Sequence, residues 1–144
     1  MIWNKEFTLE ELNKNNGPTN PFGLYTNPFN IEYIEKGDDF LLCKMPLTPN
    51  TKQPMGLLHG GVSVYLAETV GSYAANLVVK ESNKAAVGLD INANHIRAVR
   101  EGFVFAKAMP IHIGGKTQVW SIEIRNEQQQ LVCICRLTMA IIAI

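Results

Sequence analysis

The chain has 144 residues, with 13 Lys and Arg against 13 Asp and Glu, so its formal net charge is zero. At 47% hydrophobic and 18% charged it lies outside the polar, highly charged regime of disorder, and its length suits one core and one domain over residues 1–144. The charge balance argues against a dedicated binder of nucleic acid or of an anionic membrane surface. Cys43, Cys133 and Cys135 make an odd count with neither a CxxC pair nor zinc-ligand spacing. All three read as small buried hydrophobes. Residues Met1 to Glu6 carry no basic start and no apolar run follows them. No secretory signal is expected, and a cytoplasmic setting is.

In chain order, Thr8 can cap a short helix with Glu11 three residues on, while Phe7 can staple to Leu12. Gly17-Pro18 then stops it. Residues 17–30, rich in proline and asparagine, read as a loop over the surface or near a ligand. Ile31 to Glu35 and Phe40 to Met45 flank a Gly37-Asp38-Asp39 turn and read as a hairpin. Four more strands are expected over Ala85–Asn94, Gly102–Met109, Lys116–Arg125 and Leu131–Ile144, joined by short connections. In the first of these, Val87, Leu89 and Ile91 alternate with Gly88, Asp90 and Asn92; in the third, Trp120, Ile122 and Ile124 share the apolar face.

Gly60 to Lys80 departs from this two-residue period. Apolar or small residues occur nearly all round, the mark of a helix buried on most sides. Its length approaches a bilayer span, but Glu68, Asn76 and the serines favour a buried helix in a sheet protein. The expected architecture is α+β: one long central helix, between the second and third strands, wrapped by an antiparallel sheet of five or six strands.

Glu68 is the one carboxylate of this helix. Carboxylates are rarely buried alone, so Glu68 faces solvent, pairs with a distant cation, or serves chemistry as a base. Gly60-Gly61 opens the helix, where free N–H groups and the positive end of the dipole can hold a carbonyl oxygen as charge develops on it. The same pair of glycines would also suit mere close packing. From Gly60 to Glu68 is eight residues, or roughly 12 Å of helix axis, too far for one carbonyl to reach both. The amide and the carboxylate therefore meet more readily across two chains. His59 either donates to an oxyanion or caps the helix. His95, Arg97 and Arg100 could bind phosphate or simply be solvated. Gly115-Lys116-Thr117 lacks the rest of a P-loop, and His59, His95 and His112 lack metal spacing, so neither a metal nor another cofactor is expected.

Three ordered segments, Gln53-Pro54-Met55-Gly56-Leu57-Leu58-His59-Gly60-Gly61, Leu66-Ala67-Glu68-Thr69 and Gly88-Leu89-Asp90-Ile91-Asn92-Ala93-Asn94-His95, resemble those of hotdog-fold acyl-CoA thioesterases. The likeness is greatest to bacterial 1,4-dihydroxy-2-naphthoyl-CoA thioesterases of menaquinone synthesis and runs over nearly the whole chain. It implies that Glu68 is the catalytic carboxylate, as nucleophile or as base for water. It implies that the Gly60 amide, aided by His59 and Gln53, polarises the thioester carbonyl, and that Ser72 helps hold the carboxylate or water. CoA would lie along Gly88, along His95, Ile96, Arg97 and Ala98, and along the turn of His112, Ile113, Gly114, Gly115, Lys116 and Thr117. The resemblance further implies self-association to dimers and on to tetramers. Two positions depart from it: Tyr73 is bulkier than the usual aliphatic residue, and Glu127-Gln128-Gln129-Gln130 lacks a glycine in its turn.

Overall fold

The computed structural model describes residues 1–16 and 25–144. The Gly17-Pro18 stop and positions 17–24 of the expected loop lie outside the described residues. Helix α1 (Leu9–Asn15) begins as its sequence requires: Thr8 Oγ1 accepts from the Glu11 N–H at 3.1 Å, and the Glu11 carboxylate accepts from the Thr8 N–H at 2.8 Å. Asn13 and Asn16 then hydrogen-bond the backbone of Tyr33 and Ile31, tying the helix to the first strand.

Six antiparallel strands follow: β1 (Glu32–Lys36), β2 (Leu41–Pro46), β3 (Lys84–His95), β4 (Phe103–Ile113), β5 (Thr117–Asn126) and β6 (Leu131–Ala143). Between β2 and β3 runs α2 (Gly60–Val79), preceded by a 3-10 turn at Pro49–Thr51 that Thr48 caps. The sheet order is β1-β2-β4-β5-β6-β3. Short hairpins join β1 to β2, β4 to β5 and β5 to β6, as expected. The connections on either side of β3 are not hairpins, because β2 pairs with β4 and β3 crosses over to pair with β6. β3 is therefore an edge strand.

That placement corrects one reading of the sequence. The apolar alternation of Val87, Leu89 and Ile91 does not share one face: Val87 is 42% and Leu89 65% exposed, while Ala86 is buried and Ile91 packs against the core. A bulge between Gly88 and Asp90 breaks the two-residue period, and an edge strand has no neighbour on its outer side. In β5 the pattern holds, with Trp120, Ile122 and Ile124 fully buried. Each such side chain contributes about 1.5–3 kcal/mol of burial.

The α2 helix presses Leu66, Ala67, Val70, Gly71, Ala74 and Ala75 onto the sheet. Gly71 sits so close that a Cβ there would come within 2.6 Å of Leu137 Cδ2 on β6. The flank of α2 with Val64, Glu68 and Ser72, towards the edge strand, is only partly covered, so burial is one-sided within a single chain. Among the described residues α2 is long and apolar enough to cross a membrane, and half of it is packed inside the fold. All three cysteines are buried and free, and burial pushes the Cys43 thiol up to about 12.

In the β5–β6 turn the Asn126 side chain accepts from the Gln128 and Gln130 N–H groups, and Gln129 takes φ +63°. A residue with a Cβ is strained there and glycine is not. Gln129→Gly should leave the fold intact and stabilise it by up to ~1 kcal/mol, read as a rise of about 2–4 °C in Tm.

Candidate active site

Glu68 lies on the flank of α2 that faces β3, partly covered. A Cβ built on Gly88 would stand 2.6 Å from Glu68 Oε1, so only glycine lets the carboxylate rest against the edge strand. No Lys, Arg or His forms an ion pair with Glu68 among the described residues. Two helical turns further on, Asn76 donates to the Ala86 carbonyl and accepts from the Ala86 N–H, both at 2.9 Å.

The start of α2 is built differently. His59 occupies the N-cap, and its Nδ1 accepts from the Gly61 N–H at 2.9 Å. A ring nitrogen that accepts carries no proton, so the neutral ring holds its hydrogen on Nε2. The Val62 and Ser63 N–H groups both reach the His59 carbonyl. That leaves the Gly60 N–H as the one amide of the first turn without a partner among the described residues. The entry is held from below by a bond from the His59 N–H to the Thr51 carbonyl at 2.9 Å. The Gln53 side-chain oxygen accepts from the Met55 N–H in the turn before the helix, which leaves the Gln53 amide NH2 as its free end.

Gln53 and Gly60 open into a cavity of about 290 Å³ whose far wall is His95, Ile96, Arg97 and Ala98. The His95 ring lies about 3.1 Å from where a Gly60 Cβ would be. His59, by contrast, faces a separate cavity of about 240 Å³ with Phe29, Lys52 and Tyr65. The two residues are adjacent in sequence but open to different sides of the helix end.

The remaining expected residues fall elsewhere. Ser72 turns its hydroxyl towards Met139 Sδ at 3.9 Å and makes no hydrogen bond to the Glu68 carboxylate among the described residues. The turn of His112, Ile113, Gly114, Gly115, Lys116 and Thr117 is closed by a bond from the Gly114 N–H to the Thr117 carbonyl at 2.9 Å. Thr117 pairs with Ala140 of β6, which also pairs with Val87, whereas His95 pairs with Cys133. Seven residues of β6, roughly 23 Å, separate those ends. One chain thus carries two groups: Glu68, Gly88 and the 112–117 turn at one end of β3, and Gln53, Gly60 and the 95–98 stretch at the other. Asn76 escapes a reading based on charge or motif. The available signal was an amide on an otherwise apolar helix, two turns from Glu68.

The thioesterase superfamily profile matches residues 55–133 of the chain. The chain is 48% identical to the 1,4-dihydroxy-2-naphthoyl-CoA hydrolase of Escherichia coli, over 99% of this chain and 100% of that one. It is 42% identical to the proofreading thioesterase EntH of Cronobacter turicensis, with 98% of each chain covered. Its structure is similar to that of a thioesterase from Haemophilus influenzae, with a TM-score of 0.89, 47% identity and 99% and 96% of the two chains covered.

The N-cap geometry predicts its own energetic signature. His59→Ala should cost ~1 kcal/mol, whereas His59→Asn, with a side chain that caps well, should stay within a few tenths of wild type. Urea unfolding midpoints check this.

Proposed function

The chain belongs to the thioesterase superfamily and is a thioester hydrolase of hotdog fold; from that premise we propose that it cleaves an aromatic acyl-CoA resembling 1,4-dihydroxy-2-naphthoyl-CoA. The site combines parts of two copies of the chain, with residues 1–144 acting as one domain. One observation carries this reading: an unpaired carboxylate, Glu68, rests against Gly88 on the open edge of β3, while the free Gly60 amide lies beside His95 at the strand's other end. An edge strand offers unpaired backbone groups to a second chain. Two copies joined antiparallel through β3, about the middle of the strand, bring Glu68 of one beside the partner's Gly60.

In that arrangement the thioester carbonyl accepts from the partner's Gly60 N–H at the positive end of α2. The Gln53 amide NH2 is a further donor on that side, whereas the His59 ring belongs to the other side of the helix end and holds the Gly60 turn in place. Glu68 takes a proton from water as the oxygen adds to the carbonyl carbon. The C–S bond then breaks, the CoA sulfur leaves and is protonated, and the free acid forms. Attack by the carboxylate itself gives the same products through a mixed anhydride that water then opens. Single-turnover hydrolysis in 18O-labelled water separates the two: the base route puts the label in the released acid, whereas an anhydride opened at the Glu68 carbonyl leaves the label in Glu68 and the acid unlabelled.

Arg97 and Lys116, one at each end of β3 and with no ion pair among the described residues, are suited to CoA phosphates. They act with His95, Ile96 and Ala98 on one side and the 112–117 turn on the other. On this reading the dimers pair further into tetramers, the setting is the cytoplasm, and the acid serves menaquinone synthesis; the Escherichia coli relative is named for hydrolysis of 1,4-dihydroxy-2-naphthoyl-CoA. A second reading keeps the reaction but changes the acyl group, to other acyl-CoA or carrier-protein thioesters. The likeness to a proofreading thioesterase and the bulk of Tyr73 favour it. Comparing kcat/KM across an acyl-CoA panel decides between them.

Glu68→Gln should retain its Tm and oligomeric state and lose about 10²–10⁴-fold in thiol release. Near-normal turnover refutes the assignment. Gly88→Ala should fold, because its Cβ meets only the mobile end of Glu68, yet lower kcat by roughly 10–100-fold through displacement of the carboxylate. Steady-state kinetics beside a thermal melt test it.

A further inference from the structure

We propose that Asn76 is a positioning residue for the hydrolytic step: its side-chain amide clamps α2 to the open edge of β3 and so holds the Glu68 carboxylate against Gly88. Three hydrogen bonds define the clamp. Asn76 Nδ2 donates to the Ala86 carbonyl and to the Ser72 carbonyl, and Oδ1 accepts from the Ala86 N–H, each at 2.9 Å. Both amide hydrogens are thereby used, as is one lone pair of the oxygen.

The place of the clamp gives it its consequence. Ala86 turns its backbone N–H and C=O towards α2 instead of towards β6, and β3 has no strand on that side. Gly88, two residues along the same strand, repeats that orientation, and there the Glu68 carboxylate lies. The bond to the Ser72 carbonyl anchors the amide one turn from Asn76 and one turn from Glu68. Gly71 against Leu137 and Ile122 sets the height of the helix over β5 and β6, and among the described residues the Asn76 amide supplies the side-chain hydrogen bonds from α2 to β3. Glu68 has a long, rotatable side chain and no ion pair among the described residues, so its place depends on the width of that gap.

The inference rests on the reading of Glu68 given above, and the experiment separates the two. Asn76→Leu is close in size and removes all three bonds; Asn76→Ala serves where Leu does not fold. With benzoyl-CoA as substrate and thiol release as the signal, kcat should fall by roughly 10–100-fold while KM stays within about threefold. In a Gly88→Ala background, where the carboxylate is already displaced, the same substitution should change kcat by less than about threefold. A merely structural role predicts a lower Tm with kcat kept, or losses that multiply in the double variant, and either result overturns the proposal. Glu68→Gln is measured in parallel. If it keeps its turnover, the reading of Glu68 fails and this inference with it. If Glu68→Gln is inactive while Asn76→Leu turns over normally and loses amide protection at Ala86, the positioning role alone fails.

Discussion

The arrangement depends on a single constraint: a carboxylate on a mostly apolar helix must rest against a strand that has no neighbour on its outer side. Glu68 sits on the flank of α2 where the sheet stops at β3. One strand further in, the same side chain would be enclosed by protein without a cation, and taking an ionised carboxylate out of water costs several kcal/mol. At the edge it keeps access to water or to a ligand. The price is a strand that must yield space, and Gly88 yields it, since any Cβ there would meet the carboxylate oxygen.

The opposite end of the helix is governed by hydrogen-bond accounting. Four N–H groups at a helix start lack intrahelical partners. Here His59 satisfies two of them, Gly61 through Nδ1 and Val62 through its carbonyl, its own N–H goes to the Thr51 carbonyl, and Gly60 is left unbonded among the described residues. The cap and the free amide are therefore one device. The residue that stabilises the helix also fixes which N–H is available, and its own ring is set with the remaining hydrogen on Nε2. The even choice that the sequence left for His59, capping or donating, resolves into capping by one ring nitrogen with the other free.

Much of this was legible in the chain because it is local. The capping box of Thr8 and Glu11, the β5 alternation and the span of α2 each follow from residues a few positions apart, and each occurs as expected. Pairing of β3 with β6 is not local: residues 96–130, with two whole strands, lie between them, and nothing in the pattern of β3 marks it as an edge. Its apolar alternation put Val87, Leu89 and Ile91 on one face, and the Gly88–Asp90 bulge splits them, leaving Ile91 on the core side. The pairing of Asn76 with Ala86 was invisible for the same reason, since the partner is a backbone group identified only once the strand is placed. The 3-10 turn at Pro49–Thr51 was readable and was missed, with Thr48 ahead of Pro49 as its start signal.

The separation of the two residue groups along β3 has a consequence for how assembly and chemistry are linked in the proposed dimer. Within one chain the free amide at Gly60 and the carboxylate at Glu68 are held on the same helix, roughly 12 Å apart, and no side-chain rotation closes that distance. A rigid helix thus keeps an isolated chain from forming a complete site by itself. Pairing through β3 changes which groups are neighbours without bending anything, because a two-fold axis across an antiparallel edge exchanges the two ends of the strand. The backbone groups that join the copies would then be those that carry Gly88 and His95. Precision at the reacting carbon would be inherited from the strand register, which slips only in whole residues. The clamp at Asn76 completes that logic, for it references the carboxylate to the strand that sets the register.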